Sequence, residues 1–422
     1  MSIEQNTPSA GESQVAAASV EVPSYIQRQT LGQLLRGDLG FIPVLLTLIV
    51  IAVYFTATTN GLFLSPTNLS NLLQEIITIG IDGLGVTLVL LLGEIDLSVA
   101  AVGTFAAVVM GVLINYHGFP AWEAILLGIL AGALAGAING FFIAVLRIPS
   151  FIVTLAASIF YAGLLLNLLN GQATLIIQDP VVLGIAGSST SFLPDCLGVG
   201  LPTLILVLYA VGLIVDQISR KRAGLRAKSL LQLIVQIGLV VVIVEGTVAV
   251  LENTPSVTPG IYLGVPNAAA ILFGLILIFW VVLTKTTFGR HIYAVGGNME
   301  AARRAGINVV FIRVAVFTLC SALASVGGIL AASYANSVAT QINPSLLLQS
   351  IAAAVIGGTS LFGGTGSVWN IVLGALIIGS LENGLDLKSQ PSDVKQIIEG
   401  IVLLLAVTID ALVRRAQRRT GR

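Results

Sequence analysis

From about residue 42 to residue 413 the chain alternates long apolar runs with short polar joints. Twelve runs approach the length of a bilayer crossing, at 42–58, 72–92, 97–115, 124–146, 149–169, 201–216, 230–250, 267–284, 312–333, 346–362, 369–386 and 395–413. None shows the two-residue alternation that marks an outer-membrane strand. The pattern predicts an all-α polytopic membrane protein of about 10–12 transmembrane helices, the lower counts applying if some segments are broken or re-entrant.

Composition agrees. The 422 residues are 56% hydrophobic and only 9% charged, where a soluble chain carries roughly 25% charged residues. Twenty basic and twenty acidic residues cancel, so total charge points to no nucleic-acid partner. Its distribution says more. Alternating the spans from an inside N-terminus places Arg147, the Arg220–Lys228 cluster, Lys285–Arg313 and the stretch from Arg414 on the cytoplasmic side. Only Lys388 and Lys395 fall outside, leaving 18 of the 20 Lys and Arg inside, a strong positive-inside bias. Both termini are expected in the cytoplasm.

Residues 1–38 are polar and rich in small residues, which predicts a disordered cytoplasmic tail. They lack the apolar core of a signal peptide, and Arg28 and Arg36 precede the first run. The transmembrane domain is read as 39–413, with a cytoplasmic loop at 286–311 and a basic tail at 414–422.

Glycine crowds several runs, as in LLGILAGALAGAINGFF (126–142) and IAAAVIGGTSLFGGTGS (351–367). Small faces allow helix backbones to approach closely in lipid. Two runs are interrupted alike, at LLLGEIDLS (90–98) and AVIGGTSLF (354–362), with Gly111 and Gly374 following at similar distances. This suggests an internal repeat, and paired interrupted segments in two halves commonly flank a transport pathway.

In the first interruption, Glu94 and Asp96 could serve a pathway. A carboxylate near the bilayer centre costs about 2.5–3.5 kcal/mol and usually faces a bundle interior. Alternatively Asp96 or Ser98 caps the following helix. Asn139 reads as an interhelical hydrogen-bonding group, and Glu382 with Asn383 as lining an external mouth or facing headgroups. Pro149 suits the start of a span.

The stretch RHIYAVGGNMEAARRAGINV (290–309) is the polar exception. Asn298 is a good N-cap, Glu300 falls in the first turn, Arg303 and Arg304 in the last, and Gly306 just past the end. Gly296 and Gly297 would allow a sharp turn before it. A helix this short is marginal alone. It is either docked into a cytoplasmic partner as a lever or held by its arginines to anionic lipid.

Enzymatic chemistry finds little support. No phosphate-binding GxxxxGK[ST] loop occurs, and GGTGS (363–367) has no lysine where that motif needs one. Neither a GxSxG elbow nor HExxH is present. His117 and His291 are too isolated for a metal cluster, and Cys196 and Cys320 read as small apolar fillers.

TFGRHIYAVGGNMEAARRAGIN (287–308), GEIDLSV (93–99), NGFFIAVLRIPSFIVTL (139–155) and IAAAVIGGTSLFGGTGSV (351–368) together resemble the permease subunits of bacterial ABC importers for pentoses. The likeness spans about residues 40–413. The long 201–266 segment, with NGQAT (170–174) and SFLP (191–194), is most similar to the xylose-type branch. The resemblance implies a multi-pass permease of the inner membrane, acting as a homodimer with a cytoplasmic ABC ATPase and an extracytoplasmic sugar-binding protein. It would carry no cofactor; ATP would be used by the partner. It implies ATPase coupling through Gly289, Arg290, Gly297, Asn298, Glu300, Ala301, Arg303, Arg304 and Gly306. The pathway candidates are Glu94, Asp96, Ser98, Asn139, Phe151, Thr154, Thr359 and Asn383. Relatives usually carry Glu-Leu-Asp just before IAAAVIGG, where Leu347, Leu348 and Gln349 stand here. Two other readings are an ion-coupled secondary transporter and an ABC permease for another small solute, such as branched-chain amino acids.

Overall fold

The computed structural model describes residues 42–187, 191–224, 230–255 and 263–419. The N-terminal tail with Arg28 and Arg36, and Arg226 and Lys228 of the basic inner loop, lie outside them. Helix α1 is Ile42–Thr58, followed by α2 (Pro66–Leu91), α3 (Val99–His117), α4 (Ala121–Ala144) and α5 (Ser150–Leu168). A short strand β1 (Thr174–Ile176) and helix α6 (Pro180–Ala186) lead to α7 (Asp195–Arg222), α8 (Leu230–Glu252) and α9 (Asn267–Lys285). Two short helices, α10 (Thr287–Gly297) and α11 (Met299–Arg304), precede α12 (Val309–Ala335) and strand β2 (Ser337–Ala339). The chain continues through α13 (Pro344–Ile356), α14 (Asn370–Leu387) and α15 (Ser392–Arg419). Among the described residues nine helices are long and apolar enough to cross a membrane. The protein is a multi-pass, all-α membrane protein.

Several boundaries moved for identifiable reasons. Helix α2 starts at Pro66, not near residue 72, because the Ser65 hydroxyl accepts the Asn68 N–H at 3.3 Å and Pro66 fits the first position. Helix α6 escaped the hydropathy reading, although Asp179 caps it through the Val181 and Val182 N–H groups. Helix α15 continues through the basic stretch to Arg419.

The apolar run 346–362 is not one span. Helix α13 holds only 13 residues, about 20 Å of rise, too short for a bilayer core of about 30 Å. Beyond it Gly358, Gly363 and Gly364 take positive φ of 93°, 84° and 75°, so the chain leaves the helix while still apolar. The other break, residues 92–98, lies between two full-length helices. Helix α2 alone has 26 residues, about 39 Å. Glu94 and Asp96 thus sit at the end of the bundle and not near its centre.

Helix α12 is the hub, packed against α4, α3 and α2. Its seam with α4 is set by Gly132, Gly136 and Gly140, one helical turn apart, while Gly128, a turn earlier, stands closest to the Ala106 carbonyl of α3. A Cβ on Gly136 would lie 2.6 Å from Ser321 Cβ, and one on Gly140 2.8 Å from Val314 Cα. This is close backbone packing by small residues, as the glycine pattern suggests. Cys320 fills the same interior, where a Cβ on Gly85 would meet its sulfur at 3.3 Å. Cys196 is exposed on α7, so the filler reading holds for Cys320 alone.

Helices α7 and α8, the long insertion, are peripheral. Only 11% and 6% of their apolar windows are buried, against 78% for α2. They hold each other through the Thr203 hydroxyl on Glu245 (2.8 Å) and the Gln236 amide on the Tyr209 oxygen (2.8 Å). The site lies elsewhere, at the end of the bundle that carries α10 and α11.

Candidate functional site

The polar stretch 286–308 folds as two capped helices. Thr286 Oγ1 accepts the Gly289 N–H at 3.2 Å and opens α10, an element the sequence reading missed. Asn298 Oδ1 accepts the Ala301 N–H at 2.9 Å and opens α11. Arg303 and Arg304 each reach Glu300 at 3.2 Å. Gly306 stops the helix at φ +85°. The Ile307 N–H then bonds back to Ala302 O at 3.1 Å, and Asn308 caps α12 through the Phe311 N–H at 3.0 Å. Only residues 305–308 join them, and with both ends bonded α11 and α12 are stiffly connected.

Burial sorts the residues of this stretch. Gly289 is buried with Ile292 and Val295 on the inner face of α10. Arg290, Gly297, Asn298, Glu300, Ala301, Arg303, Arg304 and Gly306 are all exposed. The ion pairs to Glu300 are solvated and add little stability; their arginines remain available to a partner. Replacing Asn298 by alanine should cost α11 about 1 kcal/mol. Amide exchange over 299–305 should then rise roughly fivefold, read by mass spectrometry.

The paired glycines do not make the turn expected of them. Both end α10 without positive φ, and the chain turns at Asn298, whose φ of −160° and ψ of 101° are extended. Gly296 serves close approach instead. A Cβ there would fall on the Leu91 carbonyl oxygen and 2.8 Å from the Gly364 nitrogen. Those two atoms are already joined, Gly364 N–H donating to Leu91 O at 2.9 Å. A Cβ on Gly363 would lie 2.9 Å from Gly93 N. The end of α10 is therefore seated on both helix breaks at once, after α2 and after α13. Tyr293 adds a tie, its hydroxyl donating to Gly366 O at 3.0 Å. Burial pushes the Tyr293 phenol up, so it remains a donor at neutral pH.

The first break is strapped to three other helices, α12, α5 and α4. Glu94 forms an ion pair with Arg313 in the first turns of α12, both side chains nearly buried. Ile95 N–H donates to Ser150 Oγ at 3.3 Å and Leu97 N–H to Thr154 Oγ1 at 3.0 Å, both on α5. Asp96 Oδ1 accepts the Ser98 N–H at 2.8 Å and the Ser98 hydroxyl at 2.6 Å. Ser98 Oγ in turn accepts Asn139 Nδ2 from α4 at 3.1 Å. Ser98 occupies the capping position of α3 without a side-chain cap bond; Asp96 satisfies its backbone instead.

Of the pathway candidates, the fold thus gathers Glu94, Asp96, Ser98, Asn139 and Thr154 in one place. Thr359 is buried beside Gly366 in the second break, 3.0 Å from where a Cβ on that glycine would stand. Phe151 is apart, 52% exposed on the first turn of α5. Asn383 is remote too, one helix length away on α14. Sequence reasoning missed Arg313, Gly93, Gly363, Gly364 and Tyr293. Only the positive-φ glycine pairs left a trace in the sequence.

Asn383 belongs to a second polar cluster, and it does not face headgroups. Its Oδ1 accepts Asn68 Nδ2 at 2.8 Å, and its Nδ2 reaches Glu75 at 3.4 Å. Gln349 is buried nearby on α13, its amide donating to Glu382 at 2.7 Å and to Glu399 at 2.8 Å. An acidic side chain at 349 would meet two other carboxylates. The amide instead joins α13, α14 and α15, which gives the Gln349 departure a physical sense.

Residues 68–407 match the family described as branched-chain amino acid transport system / permease component. The chain belongs to this family of transport-system permease components. It is 34% identical to the xylose transport system permease protein XylH of Escherichia coli (strain K12), over 87% of this chain and 91% of that one. It is 34% identical to XylH of Haemophilus influenzae, over 87% and 94%. Identity to the ribose import permease protein RbsC of Bacillus subtilis is 32%, over 85% and 89%. No solved structure is matched.

Proposed function

We propose that the chain forms the translocation pathway of an ATP-driven importer for a pentose, xylose or a close analogue. It sits in the inner membrane with both termini in the cytoplasm and works as a homodimer in lipid. A cytoplasmic ABC ATPase supplies the energy, since no phosphate-binding loop is found in the chain itself. An extracytoplasmic binding protein delivers the sugar. The xylose and ribose names of the relatives support the solute class.

The observation that carries the mechanism is the seat of α10 on both helix breaks. The ATPase engages the exposed face of α11, with Arg303 and Arg304 as its charged contacts. Closure of the ATPase pair displaces α10 and α11 together. Because Gly296 touches the Leu91 carbonyl and the Gly364 amide, one displacement reaches both breaks. Switching then requires only that nucleotide and loaded binding protein favour different states of comparable energy.

Arg303→Glu combined with Arg304→Glu tests this. Uptake of labelled xylose should fall at least about tenfold, the scale of losing charged contacts at an interface, while the protein still reaches the membrane. ATP hydrolysis by the co-expressed ATPase should lose its stimulation by the sugar-loaded binding protein. Unchanged uptake in the double variant would remove α11 from the ATPase contact. Uptake of labelled leucine by the parent, and none of labelled xylose, would redirect the solute to amino acids.

A further inference from the structure

The pair Glu94–Arg313 joins residues 219 apart in sequence. It is the link between the capped α11–α12 connection and the break that carries Asp96 and Ser98. We propose that Arg313 is a positioning residue of the transport cycle, a tether through which α12 moves the 94–98 break. The inference rests on the importer reading above.

Three observations converge on it. First, Arg313 lies within the first turns of α12, directly after Asn308, whose cap bond to Phe311 fixes the start of that helix. A push on α11 therefore arrives at Arg313 with little slack. Second, the opposite side of the break is held by α5 and α4, through Ser150, Thr154 and Asn139. Any shift of α12 relative to α5 must then move or part the segment 94–98 between them. Third, Arg313 is engaged through one terminal nitrogen only. Its Nε is buried and has no hydrogen-bond partner among the described residues. A buried guanidinium donor left unmade is costly, and arginine grips a carboxylate best through two parallel N–H bonds. The present geometry is thus one of two positions for the pair. A small shift of Glu94 along the guanidinium edge engages Nε as well, so the tether can hold in both states while the break changes shape.

Neither residue is placed on the solute. Their effect is on the coupling of two movements, and the variants must separate that from folding. Arg313→Gln and Glu94→Gln each leave a buried partner uncompensated and should reduce xylose uptake at least about tenfold. The exchanged pair, Glu94→Arg with Arg313→Glu, should recover a large part of it. ATP hydrolysis by the assembled complex should persist in the single variants but cease to depend on the sugar-loaded binding protein.

A second pair guards against loss of folding. In a background lacking Cys196 and Cys320, Glu94→Cys and Arg313→Cys are combined and joined in membranes by a short bismaleimide of fixed length. This double variant, which has lost the ion pair, should take up xylose at least about tenfold less than the parent; the short rigid link should restore part of the uptake, and a longer, flexible linker should not. Uptake unaffected by the rigid linker, or single variants as active as the parent, would overturn the tether. Failure of the parent itself to take up xylose with its ATPase and binding protein would instead overturn the importer reading.

Discussion

Gly296→Ala is expected to abolish solute uptake, whereas Gly297→Ala, its neighbour, leaves uptake near the parent level. The contrast follows from what one methyl group meets. At Gly297 there is nothing within 4 Å. At Gly296 the methyl falls on the Leu91 carbonyl and 2.8 Å from Gly364 N. Both neighbours are backbone, so no side chain can turn aside. Room is made only by lifting α10 off the breaks or by parting the Gly364–Leu91 bond. Overpacking of a tight interior costs typically 1–3 kcal/mol or more, about tenfold or beyond in the population of the seated state. The two variants should reach the membrane in similar amount, measured by quantitative blotting. Normal uptake by Gly296→Ala would mean that α10 does not need its seat.

Gly136→Leu is expected to have the largest effect on stability. Its Cβ would already stand 2.6 Å from both Ser321 Cβ and Ser321 Oγ, before three further carbons are added. The α4–α12 seam must open along the row from Gly132 to Gly140, because three contacts one turn apart move together. In lipid the packing of small faces is the main force between such helices, so nothing compensates for the separation. The loss should be at least about 3 kcal/mol, seen as aggregation on size-exclusion chromatography and a low steady-state membrane level. Gly163→Leu on α5 provides the contrast, since nothing lies within 4 Å of its Cβ. A monodisperse, abundant Gly136→Leu protein would contradict the close α4–α12 seam.

Much of the fold was legible because hydropathy and cap chemistry are local. The long spans, the glycine faces and the Asn298 cap all announce themselves within a few residues. The half-length α13 did not. Its run remains apolar to Phe362, while the helix stops at Ile356 because of backbone turns that hydropathy does not register. Helix α10 was hidden for another reason: only its end near Asn298 carried obvious punctuation. The site was legible in its parts and not in its assembly. Glu94 was visible as a carboxylate in a break, but Arg313, 219 residues later, looked like one more inside charge. Gly93, Gly296 and Gly363 lie far apart in the chain, and only packing reveals that they share one point. Gln349 was noticed as a departure, yet its meaning depends on Glu382 and Glu399 arriving from two other helices.

The central claim is that this chain is a pathway whose energy enters from a partner through α10 and α11. The most direct measurement is xylose accumulation in proteoliposomes holding the chain with its ATPase and binding protein, against vesicles holding the chain alone. Accumulation that requires ATP and all three components, and that is lost with Gly296→Ala, is the predicted result. Accumulation by the chain alone under a proton or sodium gradient would contradict it.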